Sequence, residues 1–155
     1  VALLLGGCGI ITYQEASTFR QAMATEGNVE RTDVNRSVRD IAATFRERAS
    51  ACLQTVTRTW SAHHAPLGTV TEFTFTPTIV EDGGRVELHL QAKQTFTFEI
   101  GSGNPKGFFV LVVQATPIDA RRSRLEIWNT HSIKALPTAV KGWANGSFSG
   151  CPDLS

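Results

Sequence analysis

Residues 86–100 read Val86-Glu87-Leu88-His89-Leu90-Gln91-Ala92-Lys93-Gln94-Thr95-Phe96-Thr97-Phe98-Glu99-Ile100. Apolar side chains fall on alternate positions, Val86 to Ala92 and again Phe96 to Ile100, with Glu87, His89, Gln91, Lys93, Thr97 and Glu99 between them. Side chains of a strand point to opposite faces in turn, so this period of two predicts one buried face and one polar face. The stretch is either one long strand or two strands joined by a bulge near Gln94. Immediately upstream, Asp82-Gly83-Gly84 makes a hairpin turn. An antiparallel partner therefore precedes it, with Thr71, Phe73, Phe75 and Ile79 on one face between Val70 and Val80. Pro77 interrupts this partner. It has no amide hydrogen to give a neighbour, which predicts a sheet edge or a bulge there.

Downstream, Gly101 to Gly107 is a loop and Phe108 to Val113 is uninterrupted apolar, as expected of a strand covered on both faces. A turn over Pro117 to Ser123 leads to another strand, with Leu125 and Ile127 on one face and Glu126 and Trp128 on the other. Upstream, Val38, Ile41, Phe45, Ala49 and Cys52 recur at steps of three or four and predict a helix with one apolar stripe. Arg36, Arg39, Asp40, Arg46 and Glu47 mostly occupy its other faces. Asn35 or Ser37 can cap it, and Ser37-Val38-Arg39-Asp40 is a capping box with Asp in the place of Glu. Leu136, Val140 and Trp143 predict a short second helix, with Pro137 near its start and Gly146 after its end. Val29 to Val34 forms a short strand, and a polar connection holding Trp60, His63, His64 and Pro66 follows the main helix.

These elements predict an α+β fold: an antiparallel sheet of about four to five strands, with the main helix and the short C-terminal helix packed on one face. Residues 29–155 form the single domain. Residues 9–28 are a tether or a weak helix, with Tyr13, Ala16, Phe19 and Met23 at rough helical spacing. The order strand, helix, strands, helix is similar to that of helix-grip domains. A curved sheet gripping a helix can leave an apolar cavity, and Phe73, Phe75, Phe96 and Phe98 are the candidates to line one.

The 155 residues carry 15 Lys and Arg against 14 Asp and Glu, a net charge of +1. Nucleic-acid-binding domains carry a basic face and a strongly raised isoelectric point, so no nucleic-acid partner is expected. No apolar run approaches the roughly 20 residues needed to span a bilayer as a helix.

The first nine residues, Val1-Ala2-Leu3-Leu4-Leu5-Gly6-Gly7-Cys8-Gly9, end an apolar segment with two glycines and a cysteine. They resemble the lipobox of bacterial lipoproteins, in which an aliphatic and two small residues precede the cysteine that is acylated and becomes N-terminal. The resemblance implies that residues 1–8 are the end of a signal peptide with its lipobox, and that Cys8 is the lipidated residue. It further implies a membrane partner through that anchor. Gly9, not Asp, after the cysteine favours the outer membrane, with the domain facing the periplasm. Two or three acyl chains hold stably where one holds marginally. The competing reading is a short buried strand, Val1 to Leu5, ended by a Gly-Gly turn. With Cys8 set aside for lipid, Cys52 and Cys151 remain as a candidate disulfide pair, which suits an oxidising compartment. Two unpaired thiols are the alternative.

The chain shows no catalytic constellation. His63-His64 reads as a solvated loop, His89 as facing solvent or the open side of the sheet, and His131 as isolated. Gly101, Gly103 and Gly107 precede a β-type run and not the helix that a phosphate loop opens, so they read as a hairpin loop. No Gly-x-Ser-x-Gly elbow is present, and Cys52 lies on a buried stripe. Asp119-Ala120-Arg121-Arg122 is a charged, solvated turn. Asn35-Arg36-Ser37 and Asn145-Gly146-Ser147 match a glycosylation pattern that matters only in a eukaryotic secretory host. The expectation is no catalytic residue, no metal and no cofactor. From Trp143 to Pro152 the chain reads as a tail folded back and pinned at Cys52, or as an aromatic patch of Trp143 and Phe148. The resulting functional expectation is a lipid-anchored, non-catalytic periplasmic domain that contacts other envelope proteins. The alternative is a helix-grip carrier of a small apolar ligand or lipid.

Overall fold

The computed structural model describes residues 13–61, 69–96 and 107–155; Cys8, His63, His64, Phe98 and the glycines at 101 and 103 lie outside them, as does the side chain of Phe96. The elements run α1 (Ala16–Thr25), β1 (Val29–Val34), α2 (Val38–Cys52), β2 (Thr55–Ser61), β3 (Thr69–Asp82), β4 (Arg85–Phe96), β5 (Phe108–Pro117), β6 (Ser123–Asn129) and α3 (Ala135–Ala144). The strands form one antiparallel sheet in the order β1-β6-β5-β4-β3-β2. β2 to β6 meander from one edge, and β1 closes the other edge beside β6.

The class is α+β as expected, with six strands in place of four to five. The added strand is β2, which falls in the segment read as a polar connection. Its threonines mask the pattern: Thr55, Thr57 and Thr59 take the inward positions where an apolar residue would announce a buried face. Pro77 sits where an edge was expected. β2 pairs with β3 only from Thr69 to Phe75, so Pro77 meets β4 on one side and no strand on the other. β4 is a single strand through Gln94. Its irregularity lies at Leu90/Gln91, where it faces β5, and Val110 and Leu111 both join the core on the α2 and α3 side.

That core joins Ile41, Phe45 and Ala49 of α2 and Leu136, Val140 and Trp143 of α3 to Leu88, Leu90, Leu125 and Ile127 of the sheet. α2 starts as its sequence dictates. Ser37 Oγ accepts from Asp40 N at 3.2 Å, which caps the helix, and donates to Asp40 Oδ2 at 2.8 Å, so the Asp40 carboxylate meets the Ser37 hydroxyl and not the backbone N–H of a full capping box. Arg36 ties the two helices together, donating to the carbonyls of Trp143 and Ala144 at the C-terminus of α3 and to Thr44 Oγ1 on α2. A cation over the last carbonyls of a helix also answers its dipole.

The opposite face of the sheet carries α1. Residues 16–25 are thus a helix packed on the domain, where the sequence leaves a tether or a weak helix. Phe19 and Met23 bury themselves against Phe109, Val112 and Trp128, and Tyr13 O accepts from Phe109 N at 2.9 Å. Nothing local announces α1: Glu15 makes no capping hydrogen bond and the first turn holds no acidic residue. Its packing sustains it. Between α1 and the α2–α3 layer, β5 is covered on both sides, which accounts for its unbroken apolar run. Among the described residues no helix is long and apolar enough to cross a membrane.

Candidate functional site

Beyond the layer of α2 and α3, the same face of the sheet holds an apolar groove of about 380 Å³. Its floor is built by alternation. Residues two apart share a face, so β3 contributes Phe73 and Phe75, β4 Ala92 and Gln94, and β2 Thr57 and Thr59. On β5, Phe108 and Val110 complete the floor. No described residue of α2 or α3 lines the groove. Its walls are Ser132 and Ile133, just ahead of α3, and the chain's last two residues, Leu154 and Ser155. None of these lining side chains is charged. Threonine, serine and glutamine supply its few polar groups.

The tail reaches the groove because α2 holds it. A disulfide joins Cys52, at the end of the buried stripe, to Cys151, with 5.0 Å between the Cα atoms. The Arg48 guanidinium lies 3.7 Å from the centre of the Phe148 ring, and Ser147 N donates to Gly142 O at 2.8 Å. Three residues past the disulfide, Leu154 enters the core. Trp143 and Phe148 do not form one aromatic patch: Trp143 is 1% exposed within the core and Phe148 is 47% exposed.

A polar cluster lies on the other face, beneath α1. Glu87, 6% exposed, receives Arg20 Nη1 at 2.9 Å on one oxygen and His89 Nε2 at 2.7 Å on the other. An ionised carboxylate only accepts, so Nε2 carries the hydrogen. Arg20 also donates to Gln114 Oε1 at 3.1 Å and lies 5.6 Å from the Trp128 ring centre, while Arg85 Nε stands 3.9 Å from Glu87. Burial pushes the Glu87 carboxyl up, but the hydrogen bonds from His89 and Arg20 together with their charge outweigh it and hold it below the ordinary range. His89 therefore departs from its expected place at solvent or on an open face, because α1 covers that side. It packs edge-on to Phe109, ring centres 5.5 Å apart. Among the described residues no hydroxyl or thiol is bonded to His89 to serve as the nucleophile that a Glu-His pair would activate. Its chemistry is that of a latch between α1 and the sheet.

The remaining candidates separate. His131 is exposed. Asp119 accepts from the amides of Arg121 and Arg122 and from Arg122 Nε, so the charged turn is closed on itself. No group of three or more His, Cys, Asp or Glu stands together to hold a metal among the described residues. Of the four phenylalanines offered as lining, Phe73 and Phe75 do line the groove. Sequence reasoning missed Ile133 and Leu154, which sit outside any periodic element and reach the groove only through the tertiary fold. No family model matches this chain, and no curated protein or solved structure matches it either.

Proposed function

We propose that this chain is a non-catalytic, lipid-anchored domain of the bacterial envelope, held at the outer membrane through Cys8, that carries a small neutral apolar ligand in its groove. The observation that carries the ligand reading is the groove itself, about 380 Å³, with no charged side chain among its described lining residues. Pockets for small molecules run from about 300 to 1,000 Å³ and are mostly apolar, with a few placed polar groups. A charged ligand would find no charged side chain among those lining residues to answer it. The address is supported by the lipobox-like start and by the Cys52–Cys151 bond, which suits an oxidising compartment.

Titration with the neutral fluorophore N-phenyl-1-naphthylamine tests the ligand reading. Saturable enhancement at one probe per chain is expected, and Thr57→Asp, which sets a charge on the groove floor, should weaken it at least tenfold with an unchanged melting temperature. Probe binding that ignores this substitution, or no binding, ends the reading. The anchor is tested separately by labelled fatty acid fed to cells making the precursor or its Cys8→Ala form; label in the first alone is expected, and equal label or none in both removes the anchor.

A further inference from the structure

The sheet has two edges, β1 and β2, and the chain guards them unequally. Along β1, Glu30, Arg31 and Asp33 crowd the edge, each in an ion pair, to Lys141, Glu126 and Arg124 in turn. The part of β3 that runs on past β2 is an edge too, and Pro77 sits in it. Charges and proline are the devices by which natural sheets block strand addition.

β2 has neither defence on its own seven residues, Thr-Val-Thr-Arg-Thr-Trp-Ser, apart from the lone Arg58. It pairs residue for residue with β3 from Thr55↔Phe75 to Ser61↔Thr69, with no bulge to twist it away. Among the described residues nothing bonds to its outer side. Threonine, valine and tryptophan are strong strand formers, and a run of them along a sheet edge is a template for another strand. On the face away from the groove Val56 is 49% exposed. The Arg58 side chain is 72% exposed and spends only Nε on Glu72, at 2.8 Å. On the groove face, Thr57 and Thr59 form the rim.

We propose that β2 is a docking edge at which an extended segment of a partner protein adds as a further strand, with β-branched residues over Val56 and a carboxylate opposite Arg58. Main-chain hydrogen bonds to β2 supply affinity, and the alternate side chains supply choice. The free end of the Arg58 guanidinium asks for an acid on the incoming strand. A second copy of this chain fits less well: full antiparallel overlap of two β2 strands is centred on Arg58 and sets guanidinium against guanidinium, which is unfavourable. This inference does not depend on the groove holding a ligand.

The test uses a fluorescein-labelled seven-residue peptide alternating threonine and valine with a central glutamate, and the same peptide with a central lysine. Anisotropy should show the glutamate peptide binding the more tightly, and hydrogen exchange should show new protection at residues 55–61. Arg58→Glu should cost the glutamate peptide about fivefold and reverse the preference. Val56→Pro should abolish binding of both, with circular dichroism confirming the fold; should that variant unfold, Val56→Lys replaces it. Protection at β1, indifference to charge at position 58, or no binding overturns the proposal. So does a chain dimer in sedimentation that Val56→Lys dissolves, because the occupant would then be a second copy.

Discussion

Glu87 occupies one of the polar positions of the alternating strand, yet it is buried, because α1 lands on that face and brings Arg20 to meet it. Its carboxyl is held below the ordinary glutamate value in the folded chain. The unfolded chain therefore binds more protons in the acid range, so stability rises with pH there. The contribution is fully present above the unfolded value and is lost as pH falls through the folded one. Denaturation of wild type and Glu87→Gln across pH 2 to 7 should show the wild-type advantage shrinking toward the acid end. Asp33, Asp119 and Asp153 shift in the same direction, and the difference between the two proteins cancels them. At pH 7, Arg20→Ala should cost about 1–3 kcal/mol, because it leaves a buried carboxylate short of a partner. An unchanged midpoint would mean that the pair is idle. The burial of Glu87 was not legible from its own strand, since alternation assigns faces and cannot say which face another element will cover.

At the scale of elements, α2 and α1 stand at opposite ends of what a sequence discloses. α2 combines a serine N-cap with a five-member apolar stripe, and its predicted stripe, Val38 to Cys52, coincides with the helix. α1 has no cap and a stripe of only Phe19 and Met23 at buried positions. Its stability resides in contacts with Phe109, Val112 and Trp128, which are about 85 to 110 residues away in sequence. Phe19→Ala should consequently cost about 3–5 kcal/mol in urea denaturation, whereas a residue in a loose tether would cost nothing measurable. β2 was hidden for a related reason. Its groove-facing positions are threonines, and a polar residue on the inner side of an edge strand erases the period that reveals the others.

For the molecule as a whole, the groove is the product of distant parts. Phe73 and Phe75 could be nominated from their alternation alone. Leu154 could not, because its place at the wall depends on a disulfide that closes across 99 residues of chain. Cross-links of this span are worth about 4–5 kcal/mol in the chain-entropy model. Cys151→Ser should lower stability by an amount of that order. It should also weaken the naphthylamine probe, since the tail that carries Leu154 would lose its tie to α2. Leu154→Ala separates the two effects: it should weaken the probe while the disulfide stays intact. A tail substitution that leaves the probe unaffected would place the binding site elsewhere.

The register Val29↔Trp128 makes the earliest strand of the sheet wait for the latest. As the polypeptide is delivered N-terminus first, Val29 to Val34 has no neighbour to pair with until residues 123–129 have emerged, although the hairpins from β2 onward can zip up in order behind it. Completion of the sheet is thereby postponed until residues 123–129 are available, and a chain arrested short of β6 would leave its opening strand stranded and a target for proteolysis.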